Sequence, residues 1–224
     1  MNALHTTNKA LRFPSGLYGV TPEWNDAHTL EQAVRAAARG GMRALQFRHK
    51  SPDRGLRKEL AQGLATLCRE LGVTFFINDD WRLALELKTD GIHLGQHDDP
   101  VAMVRNEIGP DMLLGVSCYA KPQLAQELLQ YDVAYIAFGA MYASQTKPLA
   151  PPAPLSVLGE GRTLCAQYLS PRPAVVAIGG IGPQHAQALA LAGADSIAVI
   201  GSLFMAPDIE AAARVLSQPF SSLV

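Results

Sequence analysis

Two short apolar runs in this sequence end in polar residues and then carboxylates. They are Phe75-Phe76-Ile77-Asn78-Asp79-Asp80 and Asp90-Gly91-Ile92-His93-Leu94-Gly95-Gln96-His97-Asp98-Asp99. A buried parallel strand reads this way where its C-terminal end emerges into a polar site. Carboxylates brought face to face repel unless a cation lies between them. Hard oxygen ligands beside amides suit Mg²⁺, which keeps several waters and is shared with substrate phosphates. The same aspartates also suit N-caps, since a strand-to-helix junction favours Asp in any case. Residue types alone leave both readings open.

Cations stand nearby. Gln46, Arg48 and Lys50 alternate, and in an extended segment that spacing puts all three side chains on one side. They read either as a solvated strand end or as a diphosphate site, with Arg forking onto oxygens and Lys acting as a point charge. Lys147, closing Ser144-Gln145-Thr146-Lys147, adds a third cation. Two glycine-rich turns, Gly179-Gly180-Ile181-Gly182 and Gly201-Ser202, expose backbone N–H groups of the kind that bind phosphate, or else they only make tight turns. Ser117 closes another apolar run. His93, inside an apolar run, reads as a hydrogen-bonded core histidine ahead of a ligand, and Cys118 as a buried thiol ahead of a nucleophile.

The elements that must carry these residues alternate along the chain. Apolar strands are expected at Gly16–Thr21, Ala44–Phe47, Val73–Ile77, Gly91–Leu94, Leu113–Ser117, Val133–Phe138, Ala174–Ile178 and Ser196–Ile200. Each is followed by a helical stretch: Thr29–Arg39, Pro52 to Leu71, Trp81–Leu87, Pro100–Ile108, Lys121–Leu129, Leu155–Tyr168, Pro183–Leu191 and Asp208–Leu216. Asp26 is the expected cap of the first helix, and Gly40 and Gly72 are expected stops. This order predicts an α/β fold with a parallel sheet. Polar and glycine residues recur at strand ends, which favours closure into a single-domain (β/α)8 TIM barrel over residues 16–218. The open doubly wound alternative lacks a G-x-G-x-x-G turn after the first strand. Residues 1–15 read as a flexible N-terminal tail without the apolar core of a secretory signal. The segment Gly139–Pro154 reads as a long, Pro-rich loop of the kind that binds ligands or is disordered.

The 224 residues suit one domain, and 19 Lys+Arg against 20 Asp+Glu offer no excess of positive charge to attract nucleic acid or an anionic membrane. No apolar stretch reaches the ~18 residues of a membrane span. Three scattered Cys suggest neither a disulfide framework nor a zinc ribbon and fit a reducing, cytoplasmic compartment. Small-molecule partners are the expectation, and the pattern leaves room for a homo-oligomer.

In order along the chain, QFRHK (Gln46 to Lys50), INDD (Ile77 to Asp80), DGIHLGQHD (Asp90 to Asp98), GVS (Gly115 to Ser117), SQTK (Ser144 to Lys147), AIGGI (Ala177 to Ile181) and AVIGS (Ala198 to Ser202) form a series. That series resembles the thiamine phosphate synthase family from Tyr18 to about Phe204. The resemblance implies a transferase that joins 4-amino-5-hydroxymethyl-2-methylpyrimidine diphosphate to 4-methyl-5-(2-hydroxyethyl)thiazole phosphate, releasing diphosphate and thiamine phosphate. It implies Mg²⁺ on Asp79 and Asp98. Gln46, Arg48, Lys50, Asn78, Ser117 and Lys147 would contact the pyrimidine diphosphate, and Arg48, Lys50, Ser117 and Lys147 would carry the catalysis. Ser144, Thr146, Gly180, Ile200 and Gly201 would hold the thiazole phosphate. The implied chemistry is Mg-assisted, dissociative loss of diphosphate followed by capture at the thiazole nitrogen, with no protein nucleophile. The chain departs from the family pattern at Tyr119, where His is frequent, at Ala140 and Ala143, where Pro is common, and at Gly201, where Ser is common; Ser202 is a candidate substitute hydroxyl. A thiazole tautomerase of the sister branch is the nearest rival, disfavoured by Asp79, Asp98, Arg48 and Lys50 together with the absence of His at position 119; a catalytically silent barrel that binds thiamine phosphate as a sensor is a rival from another class.

Overall fold

A computed structural model describes residues 10–143 and 152–221. Every apolar run expected to be a strand is one: β1 (Gly16–Val20), β2 (Met42–Phe47), β3 (Thr74–Asn78), β4 (Gly91–Leu94), β5 (Leu113–Tyr119), β6 (Tyr135–Phe138), β7 (Ala174–Ile178) and β8 (Ser196–Val199). They pair in parallel and in sequence order, and β8 returns to β1 with Gly16 opposite Ser196 and Tyr18 opposite Ala198, closing the barrel. Closure leaves the barrel without an unpaired edge.

Around the barrel run α1 (Ala27–Arg39), α2 (Arg54–Leu71), α3 (Trp81–Leu87), α4 (Val101–Ile108), α5 (Pro122–Leu128), α6 (Ser156–Cys165), α7 (Pro183–Leu191), the single turn α8 (Gly201–Phe204) and α9 (Ile209–Ser217). Asp26, Asp53, Asp80 and Asp208 each accept an N–H of the first turn of α1, α2, α3 and α9, a cap worth about 1 kcal/mol apiece. In α1 the buried residues are Leu30, Ala33, Val34 and Ala37, the stripe that a 3.6-residue period lays against a sheet. The helix expected to reach Tyr168 ends at Cys165. Among the described residues no helix is long and apolar enough to cross a membrane.

Alternation along the strands separates two cores. Leu45, Phe47, Phe75, Ile77, Ile92, Leu94, Val116, Ile136 and Phe138 point outward and pack under the helices. Tyr18, Val20, Ala44, Phe76, Tyr135, Ala137, Val176 and Ala198 fill the interior. Phe13 joins the inner group, fully buried, with its ring 4.9 Å from Tyr18, 4.5 Å from Tyr135 and 5.5 Å from Phe76. Leu11 forms a parallel bridge to Arg172, and Arg12 donates to the Pro171 carbonyl at 2.9 Å.

The tail assigned to residues 1–15 is therefore corrected over its second half. Ala10 to Ser15 close the floor of the barrel, because the strands begin around an opening that one aromatic ring fills. An isolated Phe carries no periodicity to reveal that role. Residues 1–9 lie outside the described residues. At the other end the packed chain runs past 218, since Phe220 is buried in the outer core under the helices.

Candidate functional site

The C-terminal ends of the strands gather most of the expected residues. Inward alternation on β2, β3, β4 and β5 brings Gln46, Asn78, His93 and Ser117 to the upper interior, and the chain beyond those ends supplies Arg48, Asp79 and Asp98.

Asp79 and Asp80 separate the two readings of their motif. Asp80 caps α3, accepting from the Leu83 N–H at 3.1 Å, and receives Arg57 Nη2 at 3.4 Å. Asp79 has a left-handed backbone at φ 65°, a conformation uncommon outside glycine and best tolerated by Asn and Asp. It caps nothing. Its carboxyl lies within hydrogen-bonding reach of Asp98 and is pushed up to about 7, first by loss of water in the barrel mouth and then by Asp98; Arg48 and Asn78 act in the opposite sense. Asp98 accepts the Gly95 N–H at 2.5 Å, which holds its loop. Asp99 takes Trp81 Nε1 at 2.7 Å and braces α3.

Two facing carboxylates, one reluctant to ionise beside the other, form a donor set that a divalent cation would satisfy. Among the described residues no group of three or more His, Cys, Asp or Glu could hold a metal.

Gln46 is buried, and its Nε2 donates to the Tyr18 hydroxyl at 2.9 Å. Arg48 is half-buried; its backbone N–H donates to Thr21 Oγ1 at 2.9 Å and its Nη1 to Glu23 Oε1 at 3.1 Å. Lys50 is exposed. His93 is a core histidine, as its setting suggested, with Nδ1 2.8 Å from Tyr135 Oη and Nε2 2.9 Å from Ser117 Oγ. Burial lowers its pKa to about 4, so the ring is neutral. Cys118 faces the outer core, and burial raises its thiol pKa, which removes it as a nucleophile.

Across the mouth, the turn after β7 is tied to the start of the long loop. Met141 N–H donates to Ile178 O and Tyr142 N–H to Gly179 O, both at 3.0 Å. Gly180 sits at φ 63°, and a Cβ there would strike the carbonyls of Tyr142 and Ala143. Only glycine fits. Its amide donates to no protein group among the described residues, and the space above Gly201 is open. Ile200 caps α8 and packs against the inner core. Ser202 Oγ donates to Ile181 O at 2.5 Å, which ties the turn after β8 to the turn after β7. Ser144, Thr146 and Lys147 lie outside the described residues.

Sequence reasoning missed several neighbours. Glu23 holds Arg48, Tyr18 and Tyr135 carry hydroxyls into the interior, and the Tyr142 ring stacks on His185 at 3.7 Å, with His185 Nδ1 accepting the Gly182 N–H. A tyrosine at an inward strand position was the available signal for Tyr18 and Tyr135. Glu23 offered none.

The family model described as "Thiamine monophosphate synthase" matches residues 17–203. The thiamine-phosphate synthase of Bordetella avium is 59% identical over 210 residues, covering 94% of this chain and 97% of that protein. The one of Chromobacterium violaceum is 45% identical over 207 residues, covering 92% and 97%. Among solved structures, the thiamine phosphate pyrophosphorylase of Pyrococcus furiosus superposes with a TM-score of 0.79 at 29% identity, covering 95% of this chain and 98% of its own. A 3-hexulose-6-phosphate synthase superposes at 0.66 with 15% identity, covering 91% and 99%, and shares the fold alone. A match spanning the barrel from β1 to the turn after β8, with identities of this size over nearly whole chains, places the chain in the thiamine monophosphate synthase family of transferases.

Proposed function

We propose that this enzyme joins 4-amino-5-hydroxymethyl-2-methylpyrimidine diphosphate to 4-methyl-5-(2-hydroxyethyl)thiazole phosphate, forming thiamine phosphate and releasing diphosphate. The observation that carries the reading is the facing pair Asp79 and Asp98, with Arg48 close enough to stabilise the Asp79 charge, set in the same mouth as the Gly180 turn.

Asp79 and Asp98 are the residues that would hold Mg²⁺. When bound, the ion supplies neutralisation of the charge that collects on a leaving diphosphate. Arg48 lets go of Glu23 and forks onto phosphate oxygens, while Lys50 and Lys147 add point charges. Asn78, Gln46 and Ser117 orient the pyrimidine diphosphate by hydrogen bonding. The methylene C–O bond breaks with both electrons leaving on diphosphate, and the aminopyrimidine spreads the resulting positive charge. The thiazole nitrogen donates its lone pair to form the new C–N bond. Gly180, Ile200 and Gly201, with Ser144 and Thr146, hold the thiazole phosphate, so catalysis is leaving-group stabilisation and positioning. The three described cysteines are buried and unpaired, which fits a reducing, cytoplasmic setting.

The test is mass spectrometry of products from purified protein with both substrates, with Mg²⁺ and with excess chelator. Thiamine phosphate formed only with Mg²⁺ is the expected result. Folded protein that leaves both intact substrates unchanged overturns the reading.

A further inference from the structure

Beneath the mouth, five polar side chains from five strands touch in series. Gln46 Nε2 lies 2.9 Å from Tyr18 Oη, which lies 2.9 Å from Tyr135 Oη. Tyr135 Oη lies 2.8 Å from His93 Nδ1, and His93 Nε2 lies 2.9 Å from Ser117 Oγ. Tyr18 and Tyr135 are sealed from solvent, Gln46 and His93 nearly so, and Ser117 is half-buried. Packing holds the series in line. The rings of His93 and Tyr135 stack at 5.7 Å and 12°, and Tyr135 has room only because position 115 is glycine: a Cβ there would fall on its ring and hydroxyl.

Proton counting gives this chain a sense. An amide nitrogen donates and does not accept, so Gln46 gives a proton to the Tyr18 oxygen. The one hydroxyl proton of Tyr18 then goes to the Tyr135 oxygen, and that of Tyr135 to His93 Nδ1. A neutral imidazole carries one N–H. With Nδ1 accepting, the proton is on Nε2 and is donated to Ser117 Oγ. The reverse sense would aim the buried Tyr18 proton at an amide N–H and leave it without an acceptor, an outcome buried polar groups avoid.

We propose that Gln46, Tyr18, Tyr135, His93 and Ser117 form a one-directional hydrogen-bond relay. It occupies the inner side of the Ser117 oxygen and leaves the Ser117 proton to be donated into the mouth. Tyr18, Tyr135 and His93 are then positioning residues for the reaction. The identity of the acceptor, an oxygen or nitrogen of the pyrimidine diphosphate, rests on the function proposed above. The direction of the relay is a property of this chain alone.

Two measurements test it. In ¹⁵N-histidine-labelled wild-type protein at neutral pH without substrate, long-range ¹H–¹⁵N correlation should show His93 as the Nε2–H tautomer. The His93→Gln variant identifies its signals. An Nδ1–H tautomer or an imidazolium overturns the proposal. Tyr135→Phe keeps the ring and removes the link. It should lower kcat about 10- to 100-fold, as loss of an orienting partner does, with KM for both substrates held within about twofold and with loss of the single His93 tautomer. Unchanged kcat with the wild-type tautomer retained overturns it. Wild-type protein that makes no thiamine phosphate would instead remove the functional reading, with the tautomer still deciding the relay.

Discussion

The carboxylates of Asp79 and Asp98 face each other within hydrogen-bonding reach, although one follows β3 and the other lies in the loop beyond β4. The left-handed turn at Asp79 is what separates it from Asp80, its neighbour in sequence, which serves α3. Asp79→Asn keeps the size of the side chain and removes its charge. Turnover is expected to drop by about 100-fold or more, as when a group that stabilises transition-state charge is removed. Stability should not fall, and above about pH 7 it should rise, because the folded protein no longer holds a carboxylate whose ionisation burial and Asp98 oppose. Steady-state kinetics with a Mg²⁺ titration, beside a thermal melt, checks this; wild-type turnover would remove the metal role.

Arg48 is held by Glu23 at 3.1 Å in a half-exposed pair, and such pairs stabilise a protein by only about 0–1 kcal/mol. It is therefore free to exchange that partner for phosphate. Arg48→Lys keeps the charge and loses the fork, so KM for the pyrimidine diphosphate should rise about tenfold, the worth of one charge-assisted hydrogen bond, with little change in melting temperature. Equal KM values in a rate assay would place Arg48 outside the diphosphate site.

Burial lowers the His93 ring from 6.5 to about 4. Between those values the unfolded chain takes a proton that the folded chain refuses. Stability from this group is complete above the unfolded value and falls as pH drops toward the folded one, by roughly 3 kcal/mol in all. Urea melts of wild type and His93→Gln at pH 7, 5.5 and 4.5 should converge as pH falls. Parallel curves would contradict a neutral buried ring.

Below the barrel Asp195 is enclosed. Arg172 reaches it through Nη1 at 2.8 Å and Nη2 at 2.7 Å, Arg162 Nη1 at 2.7 Å, and the Val175 N–H at 2.9 Å. Asp195→Asn leaves the buried Arg172 charge without its partner and should cost about 3–5 kcal/mol. Because Asp195 lies at the opposite end from Asp79, the folded fraction should retain wild-type kcat. Chemical denaturation with kinetics on the surviving protein separates the two effects; a loss of kcat at full stability would contradict this placement.

Much of the fold is legible in the sequence. Strand and helix succession follows from local periodicity, and each of β4, α3, β7 and α7 begins and ends where its pattern does, because caps and stops are local chemistry. Alternation also assigns Gln46 and Arg48 to one face, and the apolar setting of His93 marks it as a core residue. What is not legible involves residues distant in sequence. Phe13 gives no sign that it plugs the floor, and the Asp motifs do not say which carboxylate caps and which faces its counterpart. The path from Gln46 through Tyr18, Tyr135 and His93 to Ser117 joins residues up to 117 positions apart. A sequence determines which face of a strand each side chain takes, since that depends on a period of two. Which of those side chains meet is decided by barrel closure and strand register, because contact across the interior depends on the relative heights of all eight strands at once.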